Sequence, residues 1–142
     1  MDKFEQIIWD LGEAIKIPLY VDKNQACNLL LDEHLEIQMQ MDRDETHLFL
    51  CAFVANVPPG RFREDVLRDT LKANGEPHPH GAFAFYEKKN LLVLQQFISI
   101  EQLNGEPLVT RLEAFIQEAE EWHQAIKSGS TAPLKYQQAF RK

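Results

Sequence analysis

Hydrophobic period changes several times along this chain, and each change marks an element. Over residues 2–15, Phe4, Ile7, Ile8, Leu11 and Ile15 recur at helical spacing, with Glu5, Asp10 and Glu13 off the stripe. Asp2 can cap this helix, and Pro18 forces its exit into a turn over residues 20–24. Ala26–Leu31 is short and mostly apolar. Leu35–Met41 alternates strictly: Leu35, Ile37, Met39 and Met41 share one face, Glu36, Gln38 and Gln40 the other. That is a strand with one dry face and one wet face. Residues 48–54 are apolar on both faces, as in a central strand or one whose second face a partner covers.

Pro58 and Pro59 open a second helix, in which Phe62, Val66, Leu67 and Leu71 form a stripe and Asn74-Gly75 supplies the stop. Residues 76–80 hold two prolines two apart and must be a loop. Ala82–Tyr86 and residues 91–98 read as a hairpin through the charged turn at 87–90. Asn104-Gly105 then breaks the chain. In a last helix over 108–126, Leu108, Leu112, Phe115, Ile116, Ala119, Trp122 and Ile126 share a face. Glu113, Gln117, Glu120 and Glu121 lie opposite, and Glu118 is expected on the same wet surface. The elements run α-β-β-β-α-β-β-α, an α+β domain with an antiparallel sheet faced by helices. Residues 1–127 are expected to form one domain and 128–142 a flexible basic tail.

Composition narrows the function by exclusion. A chain of 142 residues can bury one core. Twenty-two acidic against fifteen basic residues give a formal charge of −7, which repels a phosphate backbone and speaks against nucleic acid. No apolar run reaches the roughly 18–20 residues that span a bilayer, and the acidic N-terminus is no signal peptide. Cys27 and Cys51 sit in apolar runs and are expected as buried free thiols of a reducing cytoplasm.

Catalytic patterns are missing where they would be sought. The glycines are isolated, no serine has a base in a recognisable motif, and Asp65 and Asp69 sit beside Arg61, Arg68 and Lys72 as on a solvated helix face. His78-Pro79-His80 supplies two ligand types where zinc wants three or four, and His34, His47 and His123 are scattered. Solvated histidines and no metal or cofactor are the expectation, and no reaction is proposed.

With these elements in place, the chain resembles the class I type III secretion chaperones, the CesT-like or Tir-chaperone family, over residues 1–127. Four details carry the resemblance. The second helix ends Leu71-Lys72-Ala73-Asn74, Gly81 precedes a strand, and Leu91-Leu92-Val93-Leu94 leads through Phe97 to Leu103. The last helix spaces Leu112, Phe115, Ala119 and Trp122 as that family does. His78-Pro79-His80 and the basic tail have no counterpart in the family pattern. The resemblance implies a dimeric, energy-independent cytoplasmic chaperone that holds the N-terminal segment of a secreted effector or regulator extended, without nucleotide, metal or membrane. Its dimer, homo- or heterodimeric, would involve Val66, Leu67, Thr70, Phe83 and Phe85.

A disordered segment is held by many shallow apolar contacts and an exposed strand edge rather than one deep pocket. Ile8, Leu19, Leu29, Phe49 and Phe53 are the candidate effector-binding residues on the first helix and first three strands, with plain core packing as the competing account. Two other readings remain: one half of a heterodimeric chaperone, or a small α+β ligand-binding domain or enzyme with a pocket between sheet and helices.

Overall fold

The computed structural model describes residues 2–76, 80–103 and 108–140. Its elements are α1 (Lys3–Ile15), β1 (Ala26–Leu31), β2 (Leu35–Met41), β3 (His47–Asn56), α2 (Arg61–Gly75), β4 (Ala82–Tyr86), β5 (Leu91–Ser99), α3 (Leu108–Lys127) and α4 (Leu134–Phe140). Short 3₁₀ turns occupy Glu87–Lys89 and Ile100–Leu103. The expected order is present, and one further helix follows it. His78, Pro79 and the Asn104-Gly105 break lie outside the described residues.

The strands form one antiparallel sheet in the order β1-β2-β3-β5-β4. β3 is central, one of the two readings its two apolar faces allow, and its second apolar face, with Phe49 and Phe53 half-buried, leaves the other reading, cover by a partner, open. One sheet face carries Leu35, Ile37 and Met39 of β2, Leu48, Leu50, Ala52 and Val54 of β3, and Leu92, Leu94 and Ile98 of β5, all buried. Phe4, Ile8 and Leu11 of α1, Val66 and Ala73 of α2, Leu112, Phe115, Ala119 and Trp122 of α3, and Tyr136 of α4 join the same core. Every helix among the described residues therefore packs on one side of the sheet, and no described helix covers the other side.

Local chemistry sets the element ends. The Asp2 carboxylate accepts from the Glu5 backbone N–H at 2.8 Å and caps α1. Gly81, at φ +125, could not carry a side chain: a Cβ there would lie 2.4 Å from the Gln95 carbonyl oxygen. The β1–β2 turn uses Asp32 (φ 50) and Glu33 (φ 63), two successive left-handed residues that match the twist of a tight hairpin.

The α2 stripe is rotated from the expected one. Val66, Thr70 and Ala73 face inward, while Leu71 is 71% exposed. Small residues suffice there because α2 lies along the narrow edge strand β4. The buried Thr70 hydroxyl is satisfied by donating to the Leu67 carbonyl at 2.8 Å.

Two further expectations are corrected together. The tail expected to be flexible over 128–142 folds as α4 over Leu134–Phe140, and Glu118, expected on a wet face, is 1% exposed. Each accounts for the other. The Glu118 carboxylate accepts hydrogen bonds from Trp122 Nε1 (3.2 Å), Lys135 Nζ (2.9 Å) and the Tyr136 hydroxyl, the last two brought by the C-terminal segment. A buried carboxylate without donors would be strongly destabilising, so it demands the segment that supplies them. Thr131 adds a bond to Asp69 at 2.6 Å, and Lys72 lies over the Phe140 ring, tying the same segment to α2.

Burial opposes ionisation of Glu118, but the bonds from Tyr136 and Lys135 outweigh it and hold the carboxyl below its ordinary range. A group with a depressed folded-state pKa stabilises above its unfolded value, and that contribution is lost as pH falls through the folded one. Tyr136→Phe removes one donor. It is expected to cost about 1–3 kcal/mol at neutral pH and to shrink the acid-linked part of the stability. Urea midpoints at pH 7 and pH 4 for the two proteins check both effects.

Candidate functional site

The helix-free sheet face is where this fold can meet another molecule. Alternation sends Leu30 of β1, Phe49, Cys51 and Phe53 of β3, Val93 and Phe97 of β5, and Tyr86 of β4 to this side. Phe97 and Leu30 are each 60% exposed. The Phe49 and Phe97 rings sit 4.7 Å apart across the β3–β5 ladder. Cys51 and Val93 are buried between these neighbours, and burial pushes the Cys51 thiol up to about 11. The strip over β3 and β5 is shallow and apolar, and Glu36, Gln38 and Gln40 of β2 lie between it and Leu30.

The two edges of the sheet differ in main-chain availability. At β4 the Asn74 side chain accepts from the Phe83 N–H at 2.8 Å and donates to the Phe83 carbonyl at 3.1 Å, imitating a neighbouring strand. This is the asparagine of the Leu71-Lys72-Ala73-Asn74 run. At β1, Asp22 closes the first position only: its carboxylate accepts from the Ala26 N–H and its own N–H donates to the Ala26 carbonyl. Since Ala26 points outward, alternation points Asn28 and Leu30 outward too, with no partner among the described residues.

A second apolar surface flanks α1. Trp9 and Tyr20 are 54% and 78% exposed. They join two adjoining shallow grooves, about 390 and 380 Å³ in volume, whose walls include Ile8 and Leu19. A wider open groove of about 1030 Å³ runs between α3 and α4 past Ile116, Pro133 and Leu134.

The expected effector-binding residues are thus divided. Phe49 and Phe53 are half-buried on the open sheet face and Leu19 is half-buried in the wall of the α1 grooves, whereas Ile8 and Leu29 belong to the core, Ile8 only backing those grooves. Of the expected dimer residues, Val66, Thr70 and Phe83 are turned into the chain's own core, while Leu67 and Phe85 are only half-buried. Trp9, Tyr20, Leu30 and Phe97 are further exposed apolar side chains beside these candidates. Trp9, Leu30 and Phe97 each fall off the apolar phase of their own element, opposite residues such as Leu11, Leu29 and Ile98, whereas Tyr20 stands in the α1–β1 connection, where period gives no signal.

Two histidines expected to be scattered and solvated are brought together. His34, in the β1–β2 turn, stacks on His123 of α3 with ring centroids 4.7 Å apart. His34 Nδ1 lies 2.9 Å from the Asp32 carbonyl oxygen, and Nε2 lies 2.9 and 2.8 Å from the two Glu120 oxygens. His123 Nδ1 donates at 2.7 Å to the carbonyl of Val54, at the point where β3 slips register against β5. Among the described residues, no three or more His, Cys, Asp or Glu are arranged to hold a metal ion. No helix among them is long and apolar enough to cross a membrane.

Solved structures share this fold. A chain of the HopA1–SchA chaperone–effector complex superposes with a TM-score of 0.64 at 20% identity, covering 86% of this chain and 94% of that one. A chain of the ExsC–ExsE complex gives 0.66 at 22% identity, with coverages of 87% and 96%. A chain from the Yersinia pestis type III secretion chaperone SycH in complex with a fragment of YscM2 gives 0.60 at 11% identity, with coverages of 82% and 97%. No curated protein matches the sequence. The family model of the Tir chaperones matches residues 6–123, which takes in every element from α1 through most of α3, and the chain belongs to the Tir chaperone protein (CesT) family.

Proposed function

We propose that this chain is a cytoplasmic type III secretion chaperone that binds the N-terminal segment of a secreted effector or regulator and keeps it extended for export. The observation that carries the reading is the open apolar sheet face beside an unpaired edge. A disordered segment gains little from any single contact, so it needs a long shallow surface for side chains and an edge for its main chain. The strip through Phe49, Phe53 and Phe97 offers the first, and Asn28 and Leu30 of β1 offer the second. Leu19, with Trp9 and Tyr20, extends the surface around α1, backed by the buried Ile8. The neighbouring folds, one solved in a chaperone–effector complex and one as a type III secretion chaperone in complex with a fragment of YscM2, support the same reading.

The proposed dimer, homo- or heterodimeric, uses α2 and β4. Leu67 and Leu71 leave an apolar flank beside the inward-facing Val66 and Thr70, and Phe85 continues it behind Phe83. Work of this kind is done by surface and needs no reaction, nucleotide or metal.

Affinity capture of the tagged chain from the bacterium that encodes it tests the reading. The expected result is a stoichiometric secreted protein whose retention is abolished when its N-terminal segment is deleted. A second small acidic chain of similar pattern would assign the heterodimer. Recovery of the chain alone, as a monomer, would overturn the proposal.

A further inference from the structure

His34 is the side chain whose surroundings its own protonation state decides. Both ring nitrogens face acceptors: the Asp32 carbonyl at Nδ1 and the Glu120 carboxylate at Nε2. A neutral imidazole has one donor and one bare lone pair, so it can make only one of these bonds. The other nitrogen would then turn its lone pair toward oxygen. Only the imidazolium satisfies both contacts. We propose that His34 is a proton-operated fastener: doubly protonated, it ties the β1–β2 turn to α3, and on losing a proton it loosens that turn and the adjoining edge of β1.

The surroundings suit a switch rather than a passive contact. Asp32 faces His34 from the turn, and Glu120 and His123 face it from α3. Glu120 is in turn positioned by Gln124, whose amide donates to Oε1 at 2.9 Å. His123 is fixed against the bulge carbonyl of Val54, so the stacked partner cannot swing away with the turn. The turn itself holds Asp32 and Glu33 in left-handed backbone without glycine, between Leu31 and the buried Leu35, and the fastener adds a side-chain link to α3.

The sign follows from linkage. The bond to Asp32 and then that to Glu120 raise the His34 pKa above its ordinary 6.5. A raised folded-state pKa stabilises below the unfolded value, and that contribution is lost as pH rises through the folded one. At the acid end, burial opposes ionisation of Glu120, but bonds from Gln124 and His34 hold its carboxyl below the ordinary range, so the pair survives until pH falls through that lowered value. The fastened state therefore occupies a window between the two titrations. A chaperone whose client pairs along β1 would hold that client more tightly within the window. This last consequence rests on the function proposed above.

The test uses the free full-length chain first. Nitrogen-15 NMR of the imidazoles is expected to show His34 protonated at both nitrogens, with its midpoint above 6.5. Amide exchange across residues 28–36, corrected for intrinsic rates, is expected to accelerate through that midpoint. Each pH unit by which the midpoint exceeds the ordinary value corresponds to about tenfold looser fastening in the neutral form. His34→Gln can still donate to Glu120 but has no proton to lose, and its protection is expected to be flat over the same range. A midpoint at or below the ordinary value, or the same pH dependence in His34→Gln, would overturn the fastener. Client affinity is then measured at two pH values on either side of the midpoint. Loss of the pH effect in the free chain counts against the fastener alone, whereas failure of any N-terminal segment to bind counts against the chaperone reading alone.

Discussion

Trp122→Ala is expected to destabilise the fold by about 3–5 kcal/mol, a large share of the 5–15 kcal/mol that holds a domain of this kind together. Trp122 is fully buried where α3, α4 and β4 meet. Its ring lies 4.6 Å from that of Phe83 and 5.3 Å from that of Tyr136, both tilted, and its Nε1–H donates to Glu118. Truncation removes the largest fully buried side chain of the core and leaves a cavity beside the Phe83 and Tyr136 rings. It also leaves the buried carboxylate one donor short. Trp122→Phe separates the two effects, since it keeps most of the ring and loses only the N–H. That variant is expected to cost about 1–3 kcal/mol. Urea titrations give both numbers, and Trp9, more than half exposed, remains a fluorescence probe in each variant. A Trp122→Ala midpoint close to the parent's would mean that the C-terminal segment is not seated on α3.

The sequence made the strands and the order of elements along the chain legible because period decides where each element lies. The strict alternation of β2 marked a strand with one dry and one wet face, and the two-sided apolar run of β3 a strand either central or covered by a partner. The stripes of α1 and α3 did the same for two helices. What period could not carry is whatever depends on residues far apart. Glu118 stands in a row with Glu120 and Glu121 and reads as solvated, and only donors 17 and 18 residues on reverse that. α4 is short and weakly patterned, so it is stable only on the carboxylate it satisfies. His34 and His123 lie in separate elements, and their stack exists because α3 crosses the end of β1–β2. The site was half legible for the same reason. Phe49 and Phe53 stand out on a strand apolar on both faces, but Phe97 becomes part of the strip only once β5 pairs with β3.

Phe97→Asp is expected to weaken client binding by about 30-fold or more while leaving the fold intact, an effect of at least 2 kcal/mol of the kind carried by an interface hot spot. Phe97 is largely exposed, so its replacement creates no cavity, and surface changes of this sort usually stay within about 0.5 kcal/mol of the parent's stability. The loss on binding has two sources. One is the apolar area of the ring, which a docking segment would otherwise cover together with Phe49. The other is the new carboxylate, which a client lying across the strip would strip of water without supplying a partner. Phe49→Asp gives a weaker discrimination, because Phe49 is half-buried and its replacement also disturbs the sheet. Calorimetric titration of the client's N-terminal segment, beside thermal melts of both proteins, measures the two quantities separately. If Phe97→Asp stays folded and binds as the parent does, the open sheet face is not the client surface. Trp9→Asp must then produce the loss, since the grooves around Trp9 and Tyr20 are the other exposed apolar surface next to the β1 edge.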